Sequence, residues 1–165
     1  MSIDRLDDPA AVALALCFVT LLAVVTATDL DRRVIPNRVL AAGALACIAI
    51  VAATDPGTLP ERTLAAAGAG GFLLLGAVWS RPGMGMGDVK LGAVMGLYLG
   101  GAVAVALLVG LVAGGALGIV LIVRNGLAAR TQALPFGPFL ALGGVVALAV
   151  GGPAIEWYVD GLLGD

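Results

Sequence analysis

Long apolar runs, separated by short polar loops, set the pattern of this chain. The first run covers 10–28 and gives way to DLDRRVIPNR, the densest charge cluster in the sequence. A second run, 38–54, ends at TDPGTLPERT, where Pro56, Gly57 and Pro60 mark a loop. A third, 63–79, precedes the glycine-rich segment SRPGMGMGDVK. From Leu91 to Val123 no charged residue occurs in 33 positions. At a rise of about 1.5 Å per residue that stretch is roughly 50 Å long, against a hydrocarbon core of roughly 30 Å. It predicts two short spans, 89–99 and 102–123, breaking near Leu99, Gly100 and Gly101. A last run covers 136–152, and the acidic tail that follows carries Trp157 and Tyr158, residues suited to a membrane interface. Spanning helices need roughly 17–25 apolar residues. The pattern predicts an all-α, polytopic membrane protein of about six transmembrane helices, folded as one membrane-embedded domain over 1–165.

Composition supports lipid as the main solvent. Hydrophobic residues make up 61% of the chain and charged residues 12%, whereas soluble domains carry about 25% charged residues. No histidine is present, which excludes His-based metal sites and Ser-His or Cys-His nucleophile pairs. Cys17 and Cys47 sit singly in apolar runs and are read as packing residues. No metal or other cofactor is implied, and no nucleic-acid partner. The opening MSIDRLDD is acidic on balance, so the first run is read as a retained span and not as a cleaved signal.

The charges also predict an orientation. With six spans and the N-terminus outside, Arg32, Arg33, Arg38, Arg81, Lys90, Arg124 and Arg130 fall on the cytoplasmic side, and only Arg5 and Arg62 outside. Seven cations against two obeys the positive-inside rule. Glycines recur every four residues at Gly92, Gly96, Gly100 and at Gly110, Gly114, Gly118. Such stripes allow close helix approach within the bundle; a homo-oligomer formed through Gly-xxx-Gly faces is the alternative use.

Two acids stand out because ionisable groups at membrane depth are costly. Asp29 closes the first run and Asp88 opens the fourth, so both fall on the cytoplasmic face. Two close carboxylates in a low-dielectric site share a proton, and such a pair can activate water without metal or histidine. Other readings stay open: Asp88 as a helix N-cap, and Asp29 as an interfacial partner of Arg32 or Arg33. The glycines at 83, 85 and 87 give the backbone before Asp88 freedom that an approaching substrate could use, or simply form a flexible loop. Phosphate binding is not indicated, since no GK[ST] or βαβ setting accompanies them.

The segment DLDRRVIPN, 29–37, resembles the first-aspartate motif of type IV prepilin peptidases, in which Asp is followed seven residues later by Pro and then Asp or Asn. GMGDVK, 85–90, resembles the second motif, GxGD with a following lysine, and PFGPFLA, 135–141, is similar to a third segment of the bacterial enzymes. GxGD alone is shared with presenilin-like proteases; the three segments in order are specific, and the resemblance covers about 10–152. It implies an intramembrane aspartic endopeptidase that removes the basic leader of prepilins or pseudopilins at the cytoplasmic face of the inner membrane. By motif position Asp29 and Asp88 are the catalytic pair, with Asp31 as rival for the first role. Gly85, Gly87, Lys90, Pro36, Asn37, Pro135 and Gly137 are the residues that shape the site or bind substrate. Lys90 is expected to pair with an acid or a lipid phosphate. Many members also carry a cysteine-containing domain linked to N-methylation. No such segment occurs here, so the chain resembles the short, peptidase-only form. The competing class is a small transporter or channel subunit, which would place the acids near the bilayer midplane; an inert assembly scaffold is a third.

Overall fold

The computed structural model of the chain describes residues 8–79, 85–125 and 135–163. These form six α-helices: α1, Pro9–Arg32; α2, Asn37–Thr54; α3, Leu59–Trp79; α4, Met86–Leu99; α5, Val103–Asn125; and α6, Gly137–Leu163. Short 3-10 turns precede α3 at Pro56–Thr58 and join α4 to α5 at Gly100–Ala102. Each break lies where the sequence places Pro or Gly. Pro9 opens α1 behind the Asp8 side chain, which accepts the Ala10 N–H at 3.0 Å. The break at Gly100 has φ 58° and ψ −138°, a conformation that favours glycine. The expected division of the long uncharged run is therefore present. The two helices are unequal: α4 has 14 residues, and α5 has 23, enough for about 35 Å of helix.

α4 is the centre of the bundle. It packs against α2, α3 and α6, and it is buried nearly all round, at Asp88, Val89, Leu91, Gly92, Val94, Met95, Gly96, Tyr98 and Leu99. Tyr98 stacks on Phe18 of α1 at a centroid distance of 5.0 Å. A helix hydrophobic on every side belongs inside a bundle, and the absence of charge from Leu91 to Leu99 has this cause.

Glycine decides how close its neighbours come. A Cβ at Gly96 would lie 2.5 Å from Ala66 Cα of α3, and one at Gly92 would collide with Leu73. A Cβ at Gly110 would lie 3.1 Å from the Phe139 carbonyl of α6, and one at Gly114 2.8 Å from the Phe136 ring. Both stripes thus serve contacts inside the bundle, but the second does so only in part, because nothing lies within 4 Å of a Cβ at Gly118.

The outward surface is apolar. Leu16, Leu45, Leu64, Leu75, Leu108 and Ile119 are all exposed, on four different helices. Four stretches are long and apolar enough to cross a membrane by length and composition: Pro9–Arg32, Asn37–Thr54, Pro56–Trp79 and the combined Met86–Asn125. The apolar part of α6, Gly137–Val150, is shorter. Arg5, Arg81, Gly83 and Arg130 lie outside the described residues, as do the side chains of Trp157 and Tyr158.

Candidate active site

The helices alternate in direction, so the end of α1 and the starts of α2, α4 and α6 meet at one end of the bundle. α1 runs past position 28 and closes at Arg33, which has φ 53° and donates its N–H to the Asp29 carbonyl at 2.9 Å. This extra turn places Asp29 inside the helix, 6% exposed. Its Oδ2 accepts the N–H of Gly137, the first residue of α6, at 2.9 Å. The pairing of Asp29 with Arg32 or Arg33 does not form. Arg32 instead meets Asp31 at 3.4 Å, with both side chains more than three-quarters exposed. Such a surface pair contributes little. The two acids of the first motif therefore differ sharply, one buried and one in solvent.

Asp88 is 8% exposed. It is the third residue of α4 and not its N-cap, which is Gly85. Its Oδ2 accepts the Gly85 N–H at 3.2 Å, while the Asp88 N–H donates to the Gly85 carbonyl at 3.1 Å. This is the reaching-back half of a capping box; glycine has no side chain to complete the other half. The helix-start reading of Asp88 is thus partly realised, by a carboxylate at the third position. The Asp29 and Asp88 carboxylates are both buried at this end of the bundle. Among the described residues neither Oδ1 has a hydrogen-bond partner, and no fully buried side-chain oxygen lacks one.

The remaining residues singled out from the sequence surround this pair. Pro36 is the N-cap of α2, with φ −68° and ψ 123°, and Asn37 is the first helical residue. Asn37 Oδ1 accepts from Lys90 Nζ at 2.9 Å, tying the start of α2 to the first turns of α4. Lys90 accordingly meets an amide and no acid among the described residues. Gly87 sits against the linker: a Cβ there would lie 3.0 Å from Ile35 Cβ. The close approach at Gly87 is thus filled by the chain itself. Gly85 has extended dihedrals, φ −78° and ψ 147°, open to any residue. Pro135 and Phe136 lead into α6, and at Gly137 a Cβ would lie 2.7 Å from Asp29 Oδ2.

Sequence reasoning placed Gly137 at the start of the last span without giving its amide a partner, and Ile35 drew no notice. The only signals were the proline-glycine spacing of 135–138 and one apolar residue between Arg33 and Pro36. Arg62 also proved more than a loop charge. It marks the opposite end of α4, where its Nη1 donates to the carbonyls of Leu97 and Tyr98 at 2.9 and 2.8 Å.

A family model for type IV leader peptidases matches residues 16–123, a stretch that holds Asp29, Pro36, Asn37, Gly85, Gly87, Asp88 and Lys90. The chain belongs to the type IV leader peptidase family. Apolar helices and this membership together make it a membrane protein. It is 35% identical over 152 residues to the prepilin leader peptidase/N-methyltransferase of Bacillus subtilis (strain 168), across 91% of this chain and 60% of that protein. It is 31% identical over 161 residues to the protein of the same name from Aeromonas salmonicida (strain A449), across 90% of this chain and 53% of that one. The chain thus spans somewhat over half the length of these curated relatives. No solved structure matches it. Pro135 and Gly137 lie beyond the stretch matched by the family model, so their place in the site rests on geometry.

Proposed function

We propose that this chain is an aspartic endopeptidase that removes the basic leader of type IV prepilins or pseudopilins, with Asp29 and Asp88 as its catalytic pair. The carrying observation is the burial of two carboxylates, from α1 and α4, at the same end of the bundle. Like charges held close in a low-dielectric site share one proton. The ionised member takes a proton from a water molecule as the water oxygen forms its bond to the scissile carbonyl carbon. The protonated member gives its proton to the carbonyl oxygen. As the tetrahedral intermediate collapses, the ionised member takes back a hydroxyl proton while the C–N bond breaks, and the leaving amine takes its proton from the protonated member. The step consumes one water and restores the starting protonation. Asp31, exposed beside Arg32, is poorly placed for this role.

The same reading orients the molecule as one six-span domain. The described cations Arg32, Arg33, Arg38, Lys90 and Arg124 lie at the aspartate end, and Arg62 at the other. The positive-inside rule then sets the aspartates at the cytoplasmic face of the inner membrane and the N-terminus outside. Lipid covers the apolar surface, and a leader with basic residues meets acids and anionic headgroups at that face. Placement at helix ends also favours peptidase chemistry over transport, which would use acids at mid-depth. The test is leader removal from a coexpressed prepilin by chains carrying Asp29→Asn or Asp88→Asn. Loss of cleavage in each is expected, and normal processing by both would end the proposal.

A further inference from the structure

The backbone around the aspartate pair carries information about where its proton sits. A backbone N–H can only donate, so a carboxyl oxygen that it meets must offer a lone pair. Oδ2 of Asp29 meets the Gly137 N–H at 2.9 Å, and Oδ2 of Asp88 meets the Gly85 N–H at 3.2 Å. Each donor is fixed by a helix start, α6 and α4, whose amides also favour negative charge. The two arrangements are alike although they arise from unrelated segments. Each leaves Oδ1 without a partner among the described residues.

We propose that the Gly85 and Gly137 amides act as paired positioning donors that keep both Oδ2 atoms as acceptors, so that the shared proton and the attacking water are confined to the two Oδ1 atoms. This rests on the aspartic peptidase reading and sharpens it, because it assigns the reacting oxygens. It also separates the two glycines. At Gly85 a Cβ would lie 3.5 Å from Asp88 Oδ2, an ordinary contact, so only the amide is required. At Gly137 a Cβ would lie 2.7 Å from Asp29 Oδ2 and 3.1 Å from Cγ, so the residue itself must be glycine. A methyl group there pushes the Asp29 carboxylate off its donor. Gly137 is a positioning residue, acting through Asp29.

Two measurements test this on the full chain. The first needs no substrate. In detergent-solubilised protein labelled with 15N-glycine, the Gly137 amide resonance is expected to titrate with pH in the wild type. It should titrate in Asp88→Asn and be flat in Asp29→Asn, while the Gly85 amide shows the reverse dependence. A Gly137 amide indifferent to Asp29→Asn overturns the inference, whether or not the chain cleaves prepilins. The second measures cleavage by Gly137→Ala against Gly118→Ala, a control whose Cβ would meet nothing within 4 Å. Loss of one hydrogen bond to a charged group predicts a fall of about 10- to 100-fold in kcat for Gly137→Ala. Its Asp29-dependent titration at the residue-137 amide should vanish too, with Gly118→Ala at wild-type rate. Wild-type cleavage by Gly137→Ala, with the titration intact, would sink the inference and leave the aspartate pair standing.

Discussion

The two ends of α4 are built from the same materials to opposite effect. At its C-terminal end Arg62, Tyr98 and Cys47 all spend their polar groups on backbone carbonyls. Arg62 donates to Leu97 and Tyr98 carbonyls, and through Nε to Thr58 Oγ1 at 3.2 Å. The Tyr98 hydroxyl donates to the Gly43 carbonyl at 2.7 Å, and the Cys47 thiol to the Leu97 carbonyl at 3.4 Å. The bonds to Leu97 and Tyr98 satisfy carbonyls that a helix end otherwise leaves unpaired, and a cation there also opposes the negative end of the helix dipole. At the N-terminal end two carboxylates are each held by one oxygen, and the other oxygens have no partner among the described residues. A saturated cluster can only hold the fold. An unsaturated pair has capacity left for water and a proton. The comparison teaches that satisfaction of hydrogen bonds, more than the presence of charge, separates the structural end from the end proposed to react.

The sharpest way to break this contrast is at the aspartates. Asp29→Asn or Asp88→Asn is expected to lower the cleavage rate by about 10³-fold or more, the range for removing a proton-transfer group. Unfolding in detergent should change little in either variant. A large loss of stability with residual cleavage would reassign these acids to structure. At the far end Arg62→Met should do the converse. It removes two charged hydrogen bonds to carbonyls, for about 1–3 kcal/mol of stability, while the rate per folded molecule holds. Thermal unfolding and an active-site-normalised rate measured together decide it.

Tyr98→Phe is a milder probe of the same end. It keeps the ring against Phe18 and removes only the hydroxyl that reaches Gly43, for about 1 kcal/mol. An unchanged unfolding midpoint would show that this bond adds nothing. The smallest effect is expected between the two regions, at the exposed Lys90–Asn37 bond. A double-mutant cycle of Lys90→Met and Asn37→Ala should give a coupling below about 1 kcal/mol. A larger coupling in the cleavage rate would make this bond part of the site, and none at all would make it incidental.

Much of the architecture was legible along the chain because lipid imposes a simple rule: backbone groups must be satisfied within helices, and loops must carry the polar residues. The breaks at Pro36, Pro56, Gly85 and Gly100, and the two acids flanking the polar loops, follow from that rule. So does the division of charge between the ends, as far as Arg32, Arg38, Lys90 and Arg62 show it. The enclosure of α4 did not follow, because an apolar run looks alike whether it faces lipid or protein. Only packing reveals that α4 is enclosed while α5 is largely exposed.

Sequence therefore determined which residues could carry chemistry and which end of the bundle would hold them, since composition and local breaks depend on near neighbours and on the solvent. Tertiary structure alone decided that Asp29 is buried while Asp31, two residues on, is not. It also decided that the start of α6 supplies Asp29 with its donor, across 108 positions of chain. Local pattern carries no record of such a pairing, because a backbone amide is the same in every residue but proline and gains meaning only from what the fold sets against it.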